Sequence, residues 1–318
     1  MTALSFVLCI PTYNAGNQWQ DWIVAYQQQT LKADEVVVVD SSSSDQTTKW
    51  AEEAGFSVHS IPQAVFNHGG TRNQAVKFAE HFADIIVFMT QDAILASPDS
   101  LANLLASFAD PNVAAVCGRQ LPHANATPLA AHARYFNYPA QSRLKSKADI
   151  PTLGIKTAFM SNSFAAYRRS VFEELGGFPD NTILAEDMYL TANMVLAGYK
   201  IAYCAEATVF HSHNYTLRQE LQRYFDTGVF QQEQAWIQQT FGKAASEGKK
   251  FVLSELKFLV KNAPHLLPKA LLSTLAKWIG FKLGYHYQTL PYAWRKALSM
   301  HKGYWKDEKD TALRAPHQ

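Results

Sequence analysis

Residues 35–40 read Glu-Val-Val-Val-Val-Asp (EVVVVD), and the fold follows from how that stretch is read. Four β-branched side chains in unbroken succession suit a strand covered on both faces, the place of an interior strand in a parallel sheet. The polar run that follows it, SSSSDQTTKWAEEAG, marks a turn and then a helix closing at Gly55. On the N-terminal side, SFVLCI (5–10) is a compact apolar strand that stops at Pro11, and Trp19, Trp22, Ile23 and Tyr26 then recur at helical spacing. On the C-terminal side, FSVHSIP is a third short strand, 71–82 a helix, and DIIVFMT a further buried strand. Strands alternating with helices at this rhythm predict an α/β fold, a doubly wound and mostly parallel central sheet with flanking helices.

In such sheets ligands sit at the carboxyl ends of the strands. Four polar clusters fall there: Thr12-Tyr13-Asn14, Asp40-Ser41, Asn67-His68 and Gln91-Asp92. The loop FNHGGTRN (66–73) adds two glycines and Arg72 at a helix start. Such a turn lets the backbone approach a ligand and suits an anion, and it serves equally as a tight loop with a helix N-cap.

The rest of the chain continues the pattern with interruptions. A helix over SPDSLANLLASFAD leads to the strand VAAVCGRQ, and residues 122–160 are less regular. AFMSNSFAAYRRSVFEELGGF reads as strand then helix, AEDMYLTANMVLAGYK as a helix, and IAYCAEATVFHSH as a strand ending in two histidines.

Bulk properties bound the function. With 318 residues, 47% hydrophobic and 18% charged, the chain can bury a large core. A net charge of +2 does not suggest generic nucleic-acid binding. Cys9, Cys117 and Cys204 are few and widely spaced, which implies neither a disulfide framework nor structural zinc and fits a reducing cytoplasm. MTALSFVLCIPTYN lacks a basic n-region and reads as a first buried strand rather than a signal peptide. No apolar stretch reaches the roughly 18–20 residues that span a bilayer.

The last segment changes character. Between Lys249 and Lys302 stand ten Lys or Arg and one acid, Glu255, interleaved with apolar and aromatic residues. This is a basic amphipathic helical region. It fits a surface resting on anionic lipid, or a helical pair packed on the sheet domain, or both. The expected division is a catalytic or binding domain over 1–240 and this region over 241–318.

Several side chains suit chemistry. Asp92, at a strand end, is placed to hold a hard divalent cation, with helix capping as the competing use; Ser97 suits that job better. Glu186 and Asp187 open a helix, where acids commonly complement the dipole, but one of two adjacent carboxylates can also act as a general base. His211 and His213, two apart, can reach a metal or a phosphate from the same side. Among the arginines only Arg72 has a loop context that sets it apart.

Together, CIPTYNAG, VVVVDSSSSDQT, FNHGGTRN, TQDA, GGF, AEDMYL and HSHNYTLRQELQRYF, in this order over about residues 5–230, resemble family 2 glycosyltransferases of the GT-A fold. FNHGGTRN with TQDA is similar to their bacterial rhamnosyltransferase branch. The resemblance implies that Pro11, Thr12 and Tyr13 line the nucleotide pocket and that Asp40 faces base or ribose. It implies donor binding by Asn67, His68, Arg72, Gln91 and Arg223. Asp92 matches the aspartate that ends the metal-binding DxD motif, here TQD with the first acid missing, and His211 or His213 matches the position that completes the metal or diphosphate site. Asp187 matches the catalytic base, with Glu186 and Asn162 orienting it or the acceptor.

The implied activity is an inverting transfer, with Mg2+ or Mn2+, of a sugar from a nucleotide donor, dTDP-L-rhamnose above all. The implied acceptor is a saccharide on polyprenyl diphosphate, and the implied location the inner face of the cytoplasmic membrane, in surface polysaccharide synthesis. A UDP-hexose or UDP-N-acetylhexosamine donor, or a non-catalytic nucleotide-sugar-binding module on the same scaffold, remain open on the residues alone.

Overall fold

The structure, a computed structural model, describes residues 4–242 and 245–305. The chain runs through β1 (Phe6–Thr12), α1 (Gln18–Gln27), β2 (Glu35–Asp40), α2 (Thr47–Glu53), β3 (Ser57–Ser60), α3 (His68–Phe78) and β4 (Ile85–Met89). Next come β5 (Ile94–Leu95), α4 (Ser100–Ala106), β6 (Val113–Leu121), α5 (Pro128–Asn137), β7 (Arg143–Lys145) and α6 (Ile150–Leu153). β8 (Phe164–Arg168), α7 (Arg169–Glu174), α8 (Glu186–Leu196) and β9 (Lys200–Phe210) follow. Helices α9 (Leu217–Glu233), α10 (Ala235–Phe241), α11 (Ala245–Asn262), α12 (Leu267–Tyr285) and α13 (Tyr292–Leu298) complete the described chain. The first and last parts of the sequence reading, residues 1–3 and 306–318, lie outside the described residues, as do 243 and 244.

The valines of β2 divide by parity. Val37 and Val39 join Val7, Cys9 and Phe88 in the core on one face of the sheet. Val36 and Val38 join Leu8, Ile10, Trp19 and Trp22 on the other. Both faces are therefore dry, and each fully buried valine contributes roughly 1.5–3 kcal/mol of transfer free energy. A strand with one wet face would show alternation instead.

The strands order as β3-β2-β1-β4-β8-β6-β9-β5, with β7 paired to β9. β3, β2, β1 and β4 are parallel. β8 enters antiparallel between β4 and β6, and β5 and β7 run antiparallel to β9, so the sheet is mixed beyond its first four strands. A strand's composition records its burial, not its direction, which the connections set. Because β2 and β3 lie to one side of β1 and β4 on the other, the strand order reverses between β1 and β4, the switch point at which ligands bind in such sheets.

Two boundaries differ from the sequence reading. The helix expected over 71–82 begins earlier, at His68, and ends at Phe78, because Asn67 Oδ1 accepts the Gly70 N–H at 2.5 Å and caps it. Gly69 thus lies in the first helical turn, where a Cβ would stand 1.9 Å from the Pro179 carbonyl oxygen. The chain that comes close to this glycine is its own loop before α8. The other difference is β9, which ends at Phe210, just before the histidines.

In the C-terminal region, α12 crosses α9 at glycines. A Cβ on Gly284 would lie 1.9 Å from the Phe225 carbonyl oxygen, one on Gly280 2.2 Å from that of Leu221, and one on Gly228 2.4 Å from that of Phe281. Trp305 joins the core beside Phe225. The outer face leaves Leu253, Leu271, Leu275, Trp278 and Trp294 exposed. Among the described residues no helix is long and apolar enough to cross a membrane.

Candidate active site

A cavity of about 580 Å³ opens at the switch point. Pro11, Thr12 and Tyr13 from the end of β1 line it, with Thr90 and Gln91 from the end of β4 and His68 and Arg72 from α3. Ser41 and the segment Gln63, Ala64 and Phe66 add to it, and Met300, His301, Lys302 and Gly303 form a further wall. The sequence reading missed that wall, since nothing in SMHKG marks it out.

Several strand-end polar groups hold one another. Gln91 Oε1 accepts the Tyr13 N–H at 2.7 Å and Gln91 Nε2 donates to the Tyr13 carbonyl at 3.1 Å. The residue at the missing acid's position is thus a clamp between the loops after β1 and β4. Asp40, buried, accepts from Thr12 Oγ1 at 2.9 Å, from Ser43 Oγ at 2.5 Å and from the Ser43 N–H at 2.7 Å. Its carboxylate shapes the serine loop beside the cavity. Asn14 and Ser42 take the left-handed conformation, φ 42° and 61°, in these two loops.

One residue past Gln91, the carboxylate of Asp92 meets the two histidines. His211 Nε2 lies 3.5 Å and His213 Nε2 3.7 Å from Asp92 Oδ2. One ligand atom from each of the three falls within 4.8 Å of the others. The β6–β9 pairing produces this: after an irregularity beyond Gly118, Leu121 pairs with Phe210, and the His211 N–H donates to the Leu121 carbonyl at 2.8 Å. Gln120 Oε1 bonds His211 Nδ1 at 2.9 Å and also accepts from Arg134 Nη1. An acceptor there puts a proton on Nδ1 and points Nε2 at Asp92. Burial, with the neighbouring His211, pushes His213 down to about 4, so it is neutral at physiological pH. Burial would raise the Asp92 carboxyl, but the hydrogen bond and charge of His211, with His213, hold it well below the usual range. A carboxylate and two imidazole nitrogens are a donor set for a divalent first-row cation. His213 stacks on Tyr215, whose hydroxyl accepts from Arg223 Nη1 at 2.9 Å.

The second acidic group lies at the start of α8. Ala185 precedes it in the left-handed conformation, φ 59°, an uncommon and costly state for a residue with a side chain. The bend aims the two acids differently. Glu186 is buried, 3.0 Å from Arg72 Nη1, and accepts from Asn162 Nδ2 at 2.9 Å. Arg72 Nη1 also donates to the His68 carbonyl at 2.9 Å. Asp187 is half-buried and accepts the Asn162 N–H at 3.0 Å and the Met188 N–H at 2.7 Å. Burial, reinforced by the charge of Glu186, raises the Asp187 carboxyl to about 7. Burial would also raise Glu186, but Arg72, His68 and Asn162 keep it low. Of two adjacent acids, one is a fixed anion and the other is poised to exchange a proton near neutrality.

The two groups are linked through one side chain. Gln120 Nε2 donates to Ser161 Oγ at 2.9 Å, so the side chain that orients His211 also touches the residue before Asn162, which holds Asp187. Gln120 and Ser161 carry no sequence signal beyond their neighbours. A cation site, a proton acceptor and a cavity at the strand ends can together support metal-assisted displacement of a leaving group by a hydroxyl.

Comparison with known proteins agrees. Residues 7–176 match the model of glycosyl transferase family 2. The chain is 58% identical to the O-antigen chain rhamnosyltransferase RfbN of Salmonella typhimurium, over 96% of this chain and 97% of that protein. It is also 58% identical to the O-antigen chain rhamnosyltransferase WbaN of Salmonella anatum, over 95% and 96%. In fold it is similar to the mannosyltransferase PcManGT from Pyrobaculum calidifontis, solved with GDP-Man and Mn2+, at a TM-score of 0.55 and 20% identity, covering 98% of this chain and 88% of that one. Residues 1–349 of TarS from S. aureus match at a TM-score of 0.54 and 16% identity, over 99% and 93%. The chain belongs to glycosyl transferase family 2 and is a glycosyltransferase with a GT-A-like mixed sheet.

Proposed function

We propose that this enzyme transfers L-rhamnose from dTDP-L-rhamnose to a saccharide acceptor on polyprenyl diphosphate, with inversion, in O-antigen synthesis. The rhamnosyltransferase relatives, matched over nearly their whole length, support the sugar and the pathway. The observation that carries the chemistry is the Asp187 carboxyl, raised to about 7 beside a low Glu186. At neutral pH it accepts a proton from the acceptor hydroxyl as that oxygen attacks the anomeric carbon, and the nucleoside diphosphate leaves from the opposite face. Two backbone N–H bonds keep Asp187 in one rotamer while it does so. Pro11, Thr12 and Tyr13 flank the nucleotide, with Asp40 and Asn67 shaping the adjoining loops.

Asp92, His211 and His213 would hold Mg2+ or Mn2+, which when bound neutralises charge on the departing diphosphate. Two imidazole donors favour Mn2+. Residues 1–240 are the catalytic unit in this reading. Helices α11–α13 rest on the anionic inner face of the cytoplasmic membrane, a reading supported by their exposed apolar side chains among lysines.

The deciding experiment offers the protein, with Mn2+, a panel of dTDP-L-rhamnose, UDP-hexoses, UDP-N-acetylhexosamine and GDP-mannose, and scores acceptor-dependent diphosphate release. Turnover confined to dTDP-L-rhamnose is expected. Turnover with a UDP-sugar alone would replace the donor.

A further inference from the structure

The cations bordering the switch-point cavity are mostly spoken for. Arg72 is paired with Glu186 at 3.0 Å. Arg223 is held by the Tyr215 hydroxyl and ring. His68 and His301 touch at 3.3 Å; burial, outweighing the nearby charge of Glu186, pushes the His68 imidazole down, and burial with His68 and Arg223 beside it pushes His301 down to about 3. Lys302 lines the same cavity, is exposed, and makes no ion pair among the described residues.

The segment carrying Lys302 is tied down. Asp226 Oδ2, in the interior of α9, accepts the N–H groups of Met300 at 2.9 Å and His301 at 3.1 Å. Gln222 Nε2 donates to the Ala297 carbonyl at 3.1 Å, Tyr292 Oη donates to the Trp305 carbonyl at 2.9 Å, and Ser299 and Trp305 are buried. The backbone on both sides of Lys302 is therefore fixed, while Lys302 lines a cavity also lined by Thr90 and Gln91, the two residues before Asp92.

We propose that Lys302 is a donor-binding residue, its ammonium meeting the diphosphate of the nucleotide sugar in this cavity. This rests on the glycosyltransferase reading and extends it. A diphosphate brings at least two negative charges to a site where the other basic side chains are paired or neutral. A mobile ammonium on a fixed backbone supplies a point charge without restricting the sugar. The C-terminal region thereby contributes to donor binding as well as packing on α9.

The test is calorimetric titration of the full chain, with Mn2+, by dTDP, UDP and GDP, comparing wild type with Lys302→Ala and Lys302→Arg. For whichever nucleoside diphosphate the wild type binds, Lys302→Ala is expected to weaken affinity about tenfold and Lys302→Arg less than threefold, with the difference shrinking as salt rises. An unchanged thermal midpoint checks the fold. Equal affinity in wild type and Lys302→Ala overturns the role of Lys302 and leaves the glycosyltransferase reading in place. A wild type that binds none of the three overturns that reading and this inference with it.

Discussion

Arg72 Nη1 lies 3.0 Å from Glu186 Oε1, and both side chains are at least nine-tenths buried. The pair joins the second turn of α3 to the first turn of α8, and so fixes the acid that precedes Asp187. Gly69, in the same turn as the capping loop, permits this docking by leaving room for the Pro179 carbonyl.

Removing one partner of a buried ion pair strands the other charge, at a cost of about 3–5 kcal/mol. Arg72→Ala should therefore lower the urea midpoint sharply. Arg72→Met with Glu186→Gln should lose less than the two single changes summed. If Arg72→Ala kept full stability and lost only donor affinity, the arginine would serve the diphosphate instead.

The second prediction concerns pH. The folded Asp187 carboxyl, near 7, is raised above its ordinary value, so the base carries a proton below pH 7. Activity at low substrate should climb about tenfold per pH unit up to an apparent pKa near 7 and then level off. Between about pH 4 and 7 the folded state holds a proton that the unfolded chain has released, so this group makes folding less favourable as pH rises. Glu186→Gln removes the adjacent charge and should move the ascending limb to lower pH, burial keeping it above the ordinary aspartate range. Asp187→Asn should cut turnover by at least 10²-fold with dTDP binding retained. A limb unmoved by Glu186→Gln would separate the two acids.

How far the site could be read in advance depends on sequence distance and on signal. Asp92, His211 and His213 stood out because each follows closely on an apolar strand run, and strand ends in an α/β sheet share one edge. The EVVVVD strand revealed its burial by having no polar face. The antiparallel entry of β8 did not show, since FAAYR fits either direction. Arg72 showed as a charge beside glycines, but its partner lies across the fold in α8 and no local pattern ties the two. The contact of His68 with His301 spans 233 positions, and SMHKG has no periodicity to mark it. Gln120 was invisible for another reason: its role comes from the β6–β9 register, which only pairing defines.

That register yields a third prediction. Gln120 fixes the proton on His211 Nδ1, so Gln120→Leu should free the ring to rotate or change tautomer. Affinity for Mn2+, followed by electron paramagnetic resonance, should fall about 10–100-fold. Gln120→Glu, which keeps an acceptor, should recover most of it. Equal Mn2+ affinity in all three proteins would mean that His211 is oriented by packing alone.

The last prediction concerns the C-terminal surface. Glycine-mediated contact consumes one side of α12 against α9, and Trp278 and Leu275 remain more than half exposed on that helix. Such side chains in water cost roughly 25 cal/mol per Å² of apolar area, while each lysine near an anionic surface contributes about 1 kcal/mol. The two effects act together only at a lipid interface. Full-length protein should therefore float with vesicles containing phosphatidylglycerol and remain behind with neutral vesicles. Leu275→Ser with Trp278→Ser should reduce flotation at low and high salt alike, since it removes apolar area. Lys269→Ala with Lys282→Ala should reduce it at low salt, because that loss is electrostatic and screened. Neither pair touches the switch-point cavity, so transfer to a soluble saccharide should be unaffected. Equal recovery of wild type and both variants in the unbound fraction would leave α11–α13 as packing elements only.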